Sequence, residues 1–201
     1  CMGTLENIVE ACDDLGVKIL TVFAFSTENW QRPQAEVSLL MKLLTDFAAQ
    51  KLAKLKKQNV QVRILGNSDV LPQEAKKAVE KVVADTKENT GLVFNIALNY
   101  GGRWDILEAT KKIALEVQNG TLRPEEIDEI AFSQRLSTAP LPDPDLMIRT
   151  SGEKRLSNFL LWQLAYSEFY YTDLYWPDFD KDALIAAILH YQMRQRRFGK
   201  I

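Results

Sequence analysis

With 201 residues, 46% of them hydrophobic and 26% charged, the chain has the material for one well-buried α/β domain and not for two. Lys plus Arg number 25 against 27 Asp plus Glu, so no global positive field draws the chain to nucleic acid, and any anion site must be local. Cys1 and Cys12 are too few for a disulfide framework, which fits a reducing, cytoplasmic setting. No apolar run is long enough to span a bilayer, leaving only peripheral membrane contact open.

A helix over Leu5 to Leu15 stops at Gly16 and leads into the β-rich run Val17 to Phe25. A long amphipathic helix, Gln34 to Lys57, precedes a second strand, Val60 to Leu65. Pro72 opens a helix to about Lys87, followed by a third strand, Leu92 to Leu98. Arg103 to Gln118 reads as a helix ending at Asn119 and Gly120, and Leu146 to Arg149 as a fourth strand. Phe159 to Ala165 has a helical pattern, Phe169 to Tyr171 is a weaker fifth strand, and a final helix runs from Lys181 to about Arg197. Alternation of this kind predicts a mainly parallel sheet covered by helices on both faces, with ligands bound outside the carboxyl ends of the strands.

Three polar turns follow strand ends: residues 26–33 after the first, 99–105 after the third and 149–158 after the fourth. The last carries Arg149 and Arg155, six residues apart, with Gly152 and the hydroxyls of Thr150, Ser151 and Ser157. Arginine presents a planar fork suited to phosphate oxygens, and a helix starting at Phe159 would aim its positive dipole end at the same place. Taken singly, each turn also has a plainer meaning. Surface arginines, a core aromatic at Trp30, a helix cap at Asn29 and a tight turn at Gly101 and Gly102 all fit the residues.

Taken together, four segments resemble the cis-prenyltransferases, the family that includes bacterial undecaprenyl diphosphate synthase. They are FSTENWQRP at residues 25–33 with Glu36, NIALNYGGRWD at 95–105, DLMIRTSGEKRLSNF at 145–159 and WPDF at 176–179, and the resemblance covers essentially the whole chain as a single domain, residues 1–201. It implies an enzyme that lengthens an allylic diphosphate by isopentenyl diphosphate units with cis double bonds, using Mg²⁺. Farnesyl diphosphate would be the primer and a long polyprenyl diphosphate such as undecaprenyl diphosphate, a lipid carrier precursor for cell-wall synthesis, the product. By the same resemblance Arg149, Arg155 and Ser157 grip isopentenyl diphosphate, with Leu156 between them in the loop. Ser26, Thr27 and Glu28 line the substrate site, Trp30 and Arg32 shape the allylic side, and Asn29 is the proton acceptor or its positioner. Glu168 corresponds to a carboxylate assigned to Mg²⁺.

Members of that family normally begin with a strand and an Asp-Gly-Asn-Gly-Arg-Trp loop whose Asp is the principal metal ligand. Neither occurs between Cys1 and Ile201, so the expectation is that this segment precedes Cys1, the alternative being a non-catalytic subunit or prenyl-diphosphate-binding protein. An apolar tunnel for the growing chain would be lined by Ala24, Val37, Leu40, Phe47 and Leu92, residues that serve equally as ordinary core. Homodimerisation is implied as well, with Phe169 to Tyr171 and the run Arg194 to Gly199 as interface candidates.

Overall fold

The computed structural model describes residues 2–194. Strand β1 (Ile19–Ser26), β2 (Gln61–Leu65) and β3 (Val93–Tyr100) form a parallel sheet in the order β1-β3-β2, while β4 (Leu146–Arg149) and β5 (Glu168–Tyr171) form a separate parallel pair. Strand β3 is buried along nearly its whole length because it lies between two partners and under helices, the setting in which parallel strands become continuous apolar runs. Its register sets Ile19 opposite Val93 on one side and Gln61 opposite Val93 on the other, so the carboxyl ends of all three strands emerge at one edge.

Helices α1 (Met2–Asp14), α2 (Gln34–Lys57), α3 (Gln73–Thr86), α4 (Gly102–Gln118), α5 (Glu129–Ser133) and α6 (Lys181–Gln192) complete the frame. The first stops where Gly16 takes a φ of 74°, a left-handed turn that glycine adopts without steric cost. Asp180 caps α6 by accepting the amide of Ala183 at 2.9 Å. The helix ends at Gln192 with Met193 as its C-cap, short of the expected end near Arg197; residues 195–197 lie outside the described residues.

Two cores result. One packs Phe94, Ile96 and Leu98 of β3 against Ile8 and Val9 of α1, Val37 and Phe47 of α2, and Val79 and Val82 of α3. On the opposite face Leu65, Ala97 and Tyr100 meet Met147, Leu160 and Leu164, with Phe23, Trp104, Leu156 and Phe159 packed around them. Of the tunnel candidates, Val37, Phe47 and Leu92 are core residues with Leu40 packed against them, whereas Ala24 is exposed. Cys12 is buried and free, and burial pushes its thiol up to about 12.

One expected element is corrected. Residues 159–165 form a chain of turns and not a helix, because Ser157, Asn158 and Leu160 hold φ values of 52°, 63° and 42°. A right-handed helix cannot propagate from such residues, and their backbone bends the chain inward instead. The arginine loop therefore has no helix dipole behind it.

Candidate active site

The three polar turns meet at the carboxyl edge of the sheet. Strand β1 ends in a tight 3₁₀ turn, Thr27–Gln31, in which the Asn29 Oδ1 accepts the Ser26 amide at 2.9 Å. Its Nδ2 has no partner among the described residues, so the side chain offers a donor to whatever lies beyond the turn. Trp30 packs edge-on against Phe25 at 5.1 Å and donates its indole N–H to the Asn99 Oδ1 at 2.8 Å. Asn99 sits at a φ of 48° and donates its own amide to the Asn67 carbonyl at 2.8 Å, which fixes Trp30 to the end of β3. Arg32 pairs with Glu36 at 2.5 Å across one turn at the head of α2, with both side chains about half exposed.

The arginine loop begins where β4 ends. Ser151 and Gly152, at φ 69° and 68°, turn the chain and donate their amides to the carbonyls of Leu174 and Thr172 at 2.7 and 2.9 Å. That hook returns the loop so that the Arg149 Nη2 faces the Ser157 Oγ at 3.4 Å. Arg155 is exposed and pairs with Glu153 two residues before it. Solvent screens this exposed pair, so an anion entering the loop displaces Glu153 at little cost.

Asn158 joins this loop to the other two. Its carbonyl accepts the Gly102 amide at 2.6 Å and its Oδ1 accepts the Arg103 amide at 2.9 Å, occupying two donors at the start of α4. Its Nδ2 donates to the Glu28 Oε1 at 2.7 Å. The junction leaves no room for a side chain at Gly101, where a Cβ would sit 2.7 Å from the Asn158 Nδ2 and 2.8 Å from the Thr27 Oγ1.

Partial burial raises the Glu28 carboxyl, but donors around it outweigh that effect and hold it below the ordinary glutamate range: the Asn158 amide first, then its own backbone and the hydroxyls of Ser26 and Thr27. A depressed carboxyl stabilises the fold above its unfolded-state value, and this contribution is lost as the pH falls through the folded-state value. Glu28→Gln is therefore expected to flatten the decline of melting temperature from about pH 5 to about pH 3. Identical slopes for the two proteins in a thermal-melt series would contradict the assignment.

Beneath the junction lies Asp105, 2% exposed, in the first turn of α4. It accepts from the Tyr100 hydroxyl at 3.0 Å, the Ser137 amide and hydroxyl at 2.8 and 2.6 Å, and the Gln163 amide at 3.2 Å. Burial, reinforced by Asp105, pushes the Tyr100 phenol up, so it stays a neutral donor.

Two sequence candidates lie apart from this cluster. Leu156 turns its side chain into the second core and serves as a foot of the loop. Glu168 opens β5 opposite Leu146, three positions before the Arg149–Tyr171 pair, which is about 10 Å away along the strand. There it is paired with Arg194, which also donates to the Phe169 carbonyl at 2.9 Å. Among the described residues no group of three His, Cys, Asp or Glu side chains could hold a metal ion. Mg²⁺ is commonly held by one or two carboxylates together with substrate phosphate oxygens, so a lone carboxylate such as Glu168 would need a bound diphosphate to complete a site. Sequence reasoning did not single out Asn158, Asn99 and Asp105, although each lies within one of the polar turns that follow the third and fourth strands.

Paired loops at the ends of parallel strands, one bearing an arginine fork and the other a polar turn, make this an α/β protein with hydrogen-bond donors gathered at one sheet edge. A prenyltransferase family model described as putative undecaprenyl diphosphate synthase matches residues 1–199. The isoprenyl transferase of Halalkalibacterium halodurans is 52% identical over 200 residues, covering 100% of this chain and 78% of that protein. That of Bacillus subtilis is also 52% identical over 200 residues, covering 100% and 77%. Among solved structures, lavandulyl diphosphate synthase from Lavandula x intermedia in complex with dimethylallyl diphosphate matches with a TM-score of 0.96 at 39% identity, over 99% of this chain and 86% of that one. A probable undecaprenyl diphosphate synthase from Campylobacter jejuni matches with a TM-score of 0.87 at 35% identity, over 98% and 91%. The chain belongs to the undecaprenyl diphosphate synthase family of prenyltransferases.

Proposed function

We propose that this prenyltransferase condenses isopentenyl diphosphate onto farnesyl diphosphate, repeating the addition to give a long cis-polyprenyl diphosphate of the undecaprenyl kind for use as a cell-wall lipid carrier precursor. The observation that carries this reading is the bridge from Asn158 to Glu28, which sets the arginine loop beside the Ser26–Glu28 turn, as two diphosphates held side by side would require. The names of the bacterial relatives support the same chemistry.

In each cycle the bond between the allylic C1 and its diphosphate breaks, C4 of isopentenyl diphosphate bonds to that C1, and a proton leaves C2 of the incoming unit. Arg149, Arg155 and Ser157 hold the incoming diphosphate, because two guanidinium forks and a hydroxyl match its oxygens and a charged grip restrains its rotation. The turn of Ser26, Thr27 and Glu28 lines the reacting end, and Trp30 and Arg32 flank the allylic substrate. Asn29 acts as an orienting donor through its Nδ2. A neutral amide does not retain a proton at ordinary pH, and its Oδ1 already accepts from the Ser26 amide, so diphosphate or water takes the proton.

Magnesium is the cofactor that the family resemblance implies, and Glu168 is the one described residue that the resemblance gives it as a ligand. We further propose action in the cytoplasm as a homodimer, with peripheral contact at the membrane for release of the apolar product. No described helix is long and apolar enough to cross a membrane. Strand β5 is an open edge with Tyr171 38% exposed, which suits an interface; residues 195–199 of the interface candidates lie outside the described residues.

The test is incubation of the full polypeptide with farnesyl diphosphate, labelled isopentenyl diphosphate and Mg²⁺, reading product length after dephosphorylation. Lengthened polyprenols are expected. Recovery of unextended farnesol alone would refute the reading and favour a binding or partner subunit.

A further inference from the structure

We propose that Asn158 is a positioning residue that sets the separation between the two diphosphate sites, an inference that rests on the prenyltransferase reading above. It lies immediately after Ser157, so whatever fixes Asn158 also fixes the hydroxyl that faces Arg149 at 3.4 Å. Both side-chain atoms are committed in opposite directions. The Oδ1 takes the Arg103 amide at 2.9 Å, tying the loop to the rigid head of α4, and the Nδ2 reaches the Glu28 carboxylate at 2.7 Å, tying it to the turn that carries Asn29. One planar amide group therefore spans the gap between the loop that holds one ligand and the turn that holds the other.

Below this bridge the two segments are joined differently. Phe23 and Phe159 stack at 4.7 Å in the second core, and that contact secures the fold of the loop without determining how its rim is aimed. The division of labour explains why an exposed rim carries an asparagine at a φ of 63°. Asparagine tolerates the left-handed region better than most residues and brings a donor and an acceptor with it; glycine would satisfy the backbone alone.

The consequence is kinetic. Condensation needs the two reacting carbons about 3–3.5 Å apart, and a misplacement of about 1 Å costs on the order of 100-fold in rate. Asn158→Gly keeps the backbone conformation and deletes both side-chain bonds. It is expected to lower kcat by roughly 10- to 100-fold, with the affinity for inorganic diphosphate measured by calorimetry changed by less than about threefold. Asn158→Asp sets a carboxylate against Glu28 and is expected to lose activity likewise. Adding Glu28→Gln to it reverses donor and acceptor across the bridge and is expected to recover at least about threefold of the lost kcat, a rescue that a purely structural role does not predict.

Wild-type extension activity with an unchanged kcat in Asn158→Gly would overturn the inference and leave the prenyltransferase reading standing. A fall in diphosphate affinity parallel to the fall in kcat would also overturn it, because Asn158 would then be a contact of the ligand itself. Absence of extension by the wild-type polypeptide would overturn both.

Discussion

Replacing Arg149 by alanine is expected to raise the KM for isopentenyl diphosphate by roughly tenfold to a hundredfold, with a melting temperature within about 2 °C of the wild type. The two readouts separate because of what the side chain touches. Among the described residues its guanidinium makes one long hydrogen bond, 3.4 Å to the Ser157 hydroxyl, so deletion removes little from folding stability. In the proposed complex it would form charged hydrogen bonds to diphosphate, each worth about 1.5–3 kcal/mol, and about 1.4 kcal/mol already amounts to a factor of ten. Arg149→Lys keeps the charge and loses the fork, so it is expected to recover part of the affinity and not all of it. Steady-state kinetics with isopentenyl diphosphate as the varied substrate checks this; a KM within twofold of wild type would remove Arg149 from the grip.

The opposite signature is expected at Asp105, where stability falls first. Its four donors come from three segments, namely Tyr100 at the end of β3, Ser137 in the connection before β4, and Gln163 in the turns after the arginine loop. Asp105→Ala leaves the Ser137 amide and the Tyr100 hydroxyl buried and unpaired, at about 1–3 kcal/mol for each unsatisfied group. A loss of about 2–5 kcal/mol corresponds to a melting temperature lower by about 5–15 °C in a chain of this size. Asp105→Asn retains an acceptor for Ser137 and is expected to lose less. A melting temperature for the alanine variant within about 2 °C of wild type would show that the network does not hold these segments together.

The strands and long helices were legible because their signals are local. Burial of β3 on both faces favours an apolar run, and Leu92 to Leu98 is one, interrupted only by Asn95, whose amide donates to the Thr21 hydroxyl at 3.0 Å. Helix α2 begins at Gln34 and ends at Lys57 as the pattern indicates, since Pro33 and the lysine-rich last turn mark its limits. Residues 159–165 misled because their apolar spacing fits a helix as well as it fits a series of inward turns. Positive φ at Ser157, Asn158 and Leu160 decides between the two, and those angles follow from tertiary contacts that spacing does not encode.

The site was legible in outline for the same reason, as three polar turns at three strand ends. Which side chains meet was not. Leu156 sits between two arginines in sequence yet points into the core, and Glu168 follows the arginine loop but lies at the far end of the strand pair beside Arg194. Asn158 and Glu28, in contrast, are 130 positions apart and meet at 2.7 Å. Only the parallel crossover connections bring them to one edge.

The central claim is that the arginine loop and the Ser26–Glu28 turn form one site for two diphosphates. A crystal structure of the full polypeptide with isopentenyl diphosphate and the unreactive analogue farnesyl thiolodiphosphate tests it most directly. One diphosphate is predicted among Arg149, Arg155 and Ser157, and the other beside Ser26 to Asn29, with Asn158 still bridging to Glu28 between them. Both ligands bound away from the arginine loop, or only one diphosphate spanning both segments, would contradict the account.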